Sequence, residues 1–206
     1  MSGTRSISCA ILAGGKGKRL NDENKALLRI GERNNLENII HIAEGIFEEI
    51  LLITNRPEKY REFGNIRIHG DIILDVGPLG GMHSALANAG TEAVFFLPCD
   101  MPFLRADIIA EEIDEYFRAG CEIIVPRIGE LIEPLHSIFS AGLKTRLEDH
   151  IRTAETYAIR EFFRISDVHY WDLDDTEENR KTFMNINTHH DLDRARRAYA
   201  RGKGWK

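Results

Sequence analysis

Near the amino terminus, the chain reads Ile7-Ser-Cys-Ala-Ile-Leu-Ala-Gly-Gly-Lys-Gly-Lys-Arg-Leu20, and Lys25 follows five residues later. Its first six residues are a largely apolar run typical of a buried strand, so the glycines fall where the strand ends and the backbone turns. Because glycine lacks a Cβ, the N–H groups of such a loop can approach an anion closely. Four cations surround the loop, namely Lys16, Lys18, Arg19 and Lys25. The stretch therefore predicts a strand that leads into a polyphosphate-binding loop.

Two better-known glycine loops do not match this stretch. A Walker A loop ends in Gly-Lys-Ser or Gly-Lys-Thr, and no glycine–lysine pair of this chain precedes a hydroxyl residue. The dinucleotide-binding fingerprint requires a third glycine where Leu20 stands. Neither assignment holds, and the spacing of Arg19 and Lys25 becomes the more informative feature.

Apolar runs alternate with helical spacing along most of the chain. Continuous apolar segments at 49–54 and 93–97 predict buried strands, and apolar residues at helical intervals predict helices within 36–47 and 108–117. This alternation predicts an α/β fold, a single Rossmann-like domain with a mostly parallel central sheet and helices on both faces.

Three weaker patterns complete the predicted elements. Isoleucine and leucine residues predict a short strand at 66–68 that continues through 72–74. After Gly129 the spacing favours turns and a shorter strand around 135–139. In Asn185-Ile-Asn187, strand alternation would put both amides on one face.

The charge balance limits the classes of partner. With 33 acidic and 27 basic residues the net charge is −6, which argues against a general nucleic-acid surface. A single nucleotide remains compatible, because the cations cluster between Lys16 and Lys25.

The same sequence predicts a cytoplasmic protein. No window approaches the roughly 18 apolar residues of a membrane span, and the first apolar stretch is too short for a signal peptide. Cys9, Cys99 and Cys121 are odd in number and lack CxxC spacing, so neither a disulfide scaffold nor a zinc site is expected.

Asp100 is the first candidate catalytic residue. It follows the apolar run 93–97 and should emerge at the carboxyl end of a central strand, on the same edge of the sheet as the glycine loop. A carboxylate there would repel a triphosphate unless a cation lay between them, and Mg²⁺ prefers one or two carboxylates together with phosphate oxygens. Asp100 is therefore a candidate metal ligand, and the alternative is an aspartate that caps the turn before Pro102.

Several segments, in this order and spacing, resemble one family. They are Leu12-Ala-Gly-Gly-Lys-Gly-Lys-Arg-Leu20 with Lys25-Ala-Leu-Leu28, Asp75-Val-Gly-Pro-Leu-Gly-Gly-Met82, Phe95-Phe-Leu-Pro-Cys-Asp-Met-Pro-Phe103, Pro134-Leu-His-Ser137 and Phe183-Met-Asn-Ile-Asn-Thr188. The chain resembles the nucleotidyltransferases typified by molybdenum cofactor guanylyltransferase. The resemblance implies transfer of GMP from GTP to the phosphate of molybdopterin, with Mg²⁺ as cofactor and pyrophosphate as product.

The resemblance also implies an organisation and a set of partners. One nucleotidyltransferase domain would span residues 1–206, with nucleotide binding in about 1–105 and acceptor binding in about 106–206. Besides GTP and molybdopterin, cofactor-delivery proteins or molybdoenzyme chaperones are possible partners.

Residue by residue, the resemblance assigns two groups of roles. Arg19, Lys25 and Asp100 would be catalytic, with Asp100 and Asn187 holding the metal. Nucleotide contacts would come from Lys25 and Asp100 together with Leu12, Ala13, Gly14, Gly15 and Asp71, and Asp75 is the second choice for the nucleoside contact. In the first stretch, backbone carbonyls of Leu12 to Gly14 can accept from the guanine ring.

One departure from the family pattern keeps other readings open. The family often has an asparagine at the end of the second strand, where this chain has Ile53, and Asn55 follows two residues later. The alternatives are cytidylyl transfer to the same cofactor, nucleotidyl transfer to a sugar phosphate, and a nucleotide-binding regulatory subunit without turnover.

Overall fold

The computed structural model describes residues 6–14, 24–64 and 66–203. Within these ranges the strands are β1 (Ile7–Leu12), β2 (Ile50–Ile53), β3 (Arg67–His69), β4 (Ala93–Pro98), β5 (Ile123–Ile128), β6 (Leu131–Ile132), β7 (Ser137–Ser140) and β8 (Val168–Asp172). The α-helices are α1 (Asn35–Glu44), α2 (Pro78–Asn88), α3 (Ala106–Ala119), α4 (Lys144–Thr153), α5 (Ile159–Phe163), α6 (Glu177–Thr182) and α7 (His189–Ala198). Short 3₁₀ turns occupy Lys25–Leu27, Pro57–Tyr60 and Ala141–Leu143, and a π-helical turn at Tyr199–Lys203 follows α7.

One mixed sheet joins the strands in the order β3-β2-β1-β4-β7-β5-β6, with β8 also paired to β5. Strands β3, β2, β1 and β4 are mutually parallel, and β8 is parallel to β5. Strand β7 is antiparallel to both β4 and β5, so it separates the two parallel parts of the sheet. The predicted mostly parallel sheet is confirmed, and the two antiparallel strands, β6 and β7, both follow Gly129, where the sequence pattern changes.

Two apolar layers cover the two faces of this sheet. Alternate residues of the central strands point to opposite faces, so Cys9 and Phe95 pack with α1 and α3, whereas Ala10 and Phe96 pack with α2, α4 and α5. Helices therefore lie on both faces, as predicted. No helix in the described part of the chain is long and apolar enough to cross a membrane.

The register of β1 and β4 places their carboxyl ends side by side. Leu12 pairs with Pro98, and the Cys99 N–H donates to the carbonyl of Leu12 at 3.2 Å. The residues that follow each strand, Ala13 and Asp100, consequently leave the sheet at the same edge. This edge is where open parallel sheets bind ligands.

Two predicted strand segments are wrong. After β3, residues 72–74 form an exposed loop in which Ile72 is 56% and Leu74 61% exposed. The chain must turn there to enter α2, and the carbonyl of Ile73 lies so close to Gly80 that a Cβ would sit 2.5 Å from it. Apolar residues in this loop therefore do not extend the sheet.

The segment 185–187 is also not a strand. It is fixed by one backbone hydrogen bond, from the N–H of Ile186 to the carbonyl of Asp100 at 2.8 Å. The Ile186 side chain is buried with Phe103 and Leu192, so packing under α7 accounts for the apolar residue between the two asparagines.

Candidate active site

A cleft of about 630 Å³ opens at the carboxyl ends of β1, β2 and β4, a volume within the usual range for ligand pockets. Strand β1 contributes Leu12, Ala13 and Gly14 to its wall, and the Ala13 N–H donates to the carbonyl of Ile53 at 2.9 Å. Lys25, Asp71, Asp75 and Asp100 line the same cleft. The strand ends thus gather residues from four distant parts of the sequence.

Three predicted residues meet at one point of this cleft. The ammonium group of Lys25 donates to Asp100 Oδ2 at 3.1 Å and to Asn187 Oδ1 at 2.6 Å. The Lys25 and Asp100 side chains are only 23% and 20% exposed, so water screens this pair less than it screens a surface ion pair. Residues separated by more than 160 positions therefore form one polar cluster.

Local structure holds the lysine of this cluster in place. Asn24 caps the 3₁₀ turn at Lys25–Leu27, and its Oδ1 accepts from the N–H of Ala26 at 3.2 Å and from the hydroxyl of Tyr60 at 3.0 Å. Tyr60 is buried in the core. The start of the turn is thus hydrogen-bonded to the buried Tyr60 side chain, which restricts where the Lys25 ammonium can reach.

The other two members are held from the backbone. Asn35 donates through Nδ2 to the carbonyl of Cys99 at 2.5 Å, next to Asp100. The Asn187 N–H donates to Asp191 Oδ2 at 3.1 Å, and the same carboxylate caps α7 through Thr188. Both metal candidates are therefore positioned by neighbours that themselves belong to helices.

The donor set fits a hard divalent cation. A carboxylate oxygen of Asp100 and an amide oxygen of Asn187 already converge on one positive charge, the Lys25 ammonium. Hard cations such as Mg²⁺ take oxygen ligands of these types and complete their shell with phosphate and water. Among the described residues no group of three or more His, Cys, Asp or Glu side chains is arranged as a metal site.

Asp71 is held in the cleft by a residue that the family pattern does not predict. Asn55 donates through Nδ2 to Asp71 Oδ2 at 2.8 Å, and its Oδ1 accepts from the N–H of Asp71 at 2.8 Å. Ile53, at the position where the resemblance leads one to expect an asparagine, is buried. The only sequence signal for Asn55 was its place just after the second strand.

The loop that carries Asp75 has constrained backbone geometry. Gly77 has φ 61° and ψ −146°, a conformation almost restricted to glycine, and it directly precedes Pro78 at the start of α2. Asp75 itself has φ 61°, and it is the one non-glycine residue with positive φ in the described ranges. Both candidate aspartates, Asp71 and Asp75, line the cleft.

Two predicted residues cannot be placed. Gly15 and Arg19 lie outside the described residues, as do Lys16, Gly17 and Lys18 of the same loop. Their assigned contacts with the phosphates stay predictions.

Sequence reasoning missed a second cavity of about 370 Å³, which adjoins the cleft and shares Pro78, Pro98 and Leu135 with it. Glu133, Asn185, Arg160 and Tyr157 supply polar groups to its otherwise apolar wall. Burial raises the pKa of Glu133 to about 7, although His136 and a hydrogen bond from Asn185 act in the opposite direction. The sequence signal was slight, since Glu133 only precedes the Pro134-Leu-His-Ser137 segment.

The histidine and cysteine beside the site have structural surroundings. His136 is fully buried, with Nδ1 at 3.0 Å from Glu112 and its ring edge-on to Phe95 and Phe183 at 5.0 Å each. Burial and then the Asp100 carboxylate raise the pKa of Cys99 to about 12, so its thiol stays protonated near neutral pH. His136 is paired with Glu112 and does not line the cleft, and the Cys99 thiol, which does line it, stays protonated, so neither is set up as a nucleophile.

A mixed α/β sheet with a nucleotide-sized cleft, a strand-end carboxylate and a convergent lysine defines the nucleotidyltransferase class of enzymes. Residues 9–170 match the MobA-like NTP transferase domain, and the chain belongs to that family. The match covers most of the sheet, the residues that line the nucleotide cleft, and the lining of the second cavity except Asn185.

Similar proteins agree with this assignment. The chain is 36% identical over 194 residues to "Probable molybdenum cofactor guanylyltransferase" of Clostridium perfringens strain 13, covering 88% of this chain and 91% of that protein. It is 30% identical over 193 residues to "Molybdenum cofactor guanylyltransferase" of Syntrophotalea carbinolica, covering 92% and 90%. The crystal structure of molybdopterin-guanine dinucleotide biosynthesis protein A from Archaeoglobus fulgidus has the same fold, with a TM-score of 0.80 at 21% identity over 94% of this chain and 99% of that one.

Proposed function

We propose that this enzyme transfers GMP from GTP to the phosphate of molybdopterin and releases pyrophosphate. The observation that carries the proposal is the convergence of Lys25, Asp100 and Asn187 at the mouth of a nucleotide-sized cleft. Family membership supports the reaction class, and the names of the relatives from Clostridium and Syntrophotalea support the choice of acceptor and base.

The cleft suggests how the nucleotide lies. We assign the recognition of guanine to the carbonyls of Leu12, Ala13 and Gly14, which line the cleft, although the Leu12 carbonyl also accepts from the Cys99 N–H. We assign the nucleoside contact to Asp71, which Asn55 orients. We assign Gly15 and Arg19 to the phosphates from the sequence alone. In this scheme residues up to about 105 bind GTP, and residues from about 106 onward serve the acceptor within the same domain.

The chemistry needs charge neutralisation more than proton transfer. The acceptor phosphate is ionised near neutral pH, since its second pKa is about 6, and its oxygen can attack the α-phosphorus without a general base. Asp100 and Asn187 would hold Mg²⁺, which supplies positive charge to the phosphates. Lys25 moves from these two oxygens to the phosphates when GTP binds, and it then stabilises the charge that develops on the departing pyrophosphate.

We also propose a cytoplasmic setting, because GTP and a reduced cofactor precursor are both available there. A product that must reach a molybdoenzyme calls for a delivery protein or chaperone as partner. Co-purification of the tagged chain with and without bound product would test that partnership.

Pyrophosphate release tests the proposed reaction directly. The purified enzyme is supplied with molybdopterin, Mg²⁺ and each of ATP, CTP, GTP and UTP in turn, and GTP should give the fastest release. A preference for CTP would favour cytidylyl transfer, and turnover only with a sugar phosphate would favour that acceptor. Nucleotide binding without turnover under any condition would favour a regulatory subunit.

A further inference from the structure

The second cavity is placed to receive the remote end of the acceptor. It shares three wall residues with the nucleotide cleft, and Asn185 in its wall lies two residues before Asn187. Most of its remaining wall is apolar, with Met101, Pro134 and Ile159 among the lining residues. A flat heterocycle attached to a phosphate near Asp100 would find here an apolar pocket of suitable size.

Glu133 is the single carboxylate among the described residues that line this cavity. Asn185 donates a hydrogen bond to it, which orients the carboxylate without neutralising it. The nearby Asp100 adds repulsion. Glu133 is removed from water in an apolar cavity, so it needs hydrogen-bond donors from a ligand. The reason is that a buried polar group left without a partner loses more free energy than a hydrogen bond normally contributes.

Donors of matching geometry exist on a pterin. Its pyrimidinone ring presents a ring N–H beside an exocyclic amino group, and a carboxylate can accept from both at once. We propose that Glu133 is a specificity-determining residue for the acceptor, whose pterin end donates to this carboxylate while its phosphate end faces the nucleotide cleft. The identity of the acceptor, molybdopterin, rests on the proposed function. That Glu133 accepts from a ring N–H beside an amino group does not depend on it.

Guanine presents the same pair of donors, so the rival assignment is that Glu133 reads the base of GTP. The two assignments differ in which substrate is affected. The Glu133→Gln variant keeps the size of the side chain but replaces one acceptor oxygen with a donor. The matched control is Glu130→Gln, an exposed residue three positions earlier on the same hairpin.

Steady-state kinetics separate these assignments. In Glu133→Gln, the KM for molybdopterin should rise roughly 10-fold to 100-fold, the scale of a lost hydrogen bond to a charged group, while the KM for GTP stays unchanged. Glu130→Gln should match the wild type in both constants. An unchanged KM for molybdopterin, or a rise confined to GTP, would overturn the inference while leaving the proposed function in place.

A binding measurement decides the same point without turnover. Fluorescence titration of the wild type with pterin and with lumazine, which carries an oxo group in place of the amino group, should show tighter binding of pterin. Glu133→Gln should lose this preference and Glu130→Gln should keep it. If the wild type transfers no GMP to molybdopterin, the proposed function fails and this titration alone judges Glu133; equal binding of the two probes by the wild type overturns the inference.

Discussion

The two cavities at this edge of the sheet differ in the surroundings of their carboxylates. In the nucleotide cleft, Asp100 faces the Lys25 ammonium at 3.1 Å, so its charge is compensated before any substrate arrives. In the neighbouring cavity Arg160 also lines the wall, but burial still raises the pKa of Glu133 to about 7, against the opposing effects of His136 and a hydrogen bond from Asn185. Asp100 therefore has a cation within hydrogen-bonding distance, whereas burial makes the Glu133 carboxylate costly to charge.

The two cavities also differ in how the chain builds them. The cleft lies on the parallel strands β1, β2 and β4, with residues that immediately follow strand ends. The second cavity depends on the reversal at β7, on α5 and on the segment before α7. Short motifs specify the first region, and long-range packing assembles the second.

The largest effect is expected at Asp100. Asp100→Asn keeps the size of the side chain but removes the charge that would hold the metal, so turnover should fall by roughly 10³-fold or more. Initial rates at saturating GTP and Mg²⁺ measure it, with Asp149→Asn on the surface of α4 as control. Near-normal activity of Asp100→Asn would remove this residue from the metal role.

Lys25→Ala should lower kcat by roughly 10²-fold, the scale of losing one preorganised electrostatic contact. Charge moves onto pyrophosphate as the bond breaks, so a fixed cation helps the transition state more than the ground state. Lys25→Arg should restore activity only in part, because a planar guanidinium does not replace a compact ammonium. A raised KM for GTP with unchanged kcat would mean that Lys25 serves docking alone, and Lys144→Ala on α4 provides the comparison.

Asn55→Ala tests whether Asp71 must be held in place by Asn55 for the cleft to bind GTP. The substitution removes two hydrogen bonds to Asp71, and the KM for GTP should rise roughly 10-fold with little change in kcat. A thermal-shift series with GTP and CTP adds a readout of base preference, since a ligand that binds only the folded state stabilises it. Unchanged GTP affinity would show that Asp71 needs no support from Asn55.

The smallest effect is a pH-dependent change in stability at Glu133. Its pKa is raised from 4.5 to about 7 in the folded chain, so the stability it contributes is complete below pH 4.5 and is lost as the pH rises through 7. Removing the charge with Glu133→Gln should therefore raise Tm at pH 8 by a few degrees, corresponding to about 1–3 kcal/mol, and change it little at pH 4.5. The groups that act on this carboxylate are His136, Asn185 and Asp100. Equal differences in Tm between Glu133→Gln and the wild type at pH 4.5 and pH 8 would contradict the raised pKa of Glu133.

The parallel strands and their flanking helices could be predicted because continuous apolar runs and helical spacing are local signals. The convergence of Lys25 with Asp100 also followed, since residues after parallel strands share one edge. Ile72 and Leu74 misled because apolar side chains can lie in an exposed loop when the backbone must turn. The role of Glu133 could not be predicted, because it depends on burial in a cavity formed by the loop between β6 and β7, by α5 and by the segment before α7.

If Asn187 holds the metal as proposed, the cap of α7 gives the last helix an influence on catalysis. Asp191 closes the first turn of that helix and, with the same carboxylate, fastens the backbone of Asn187. Fraying of this terminus would release Asn187 while the sheet stayed intact. Thermal inactivation should consequently precede global melting, and the temperature ceiling of the enzyme would be set by one helix end.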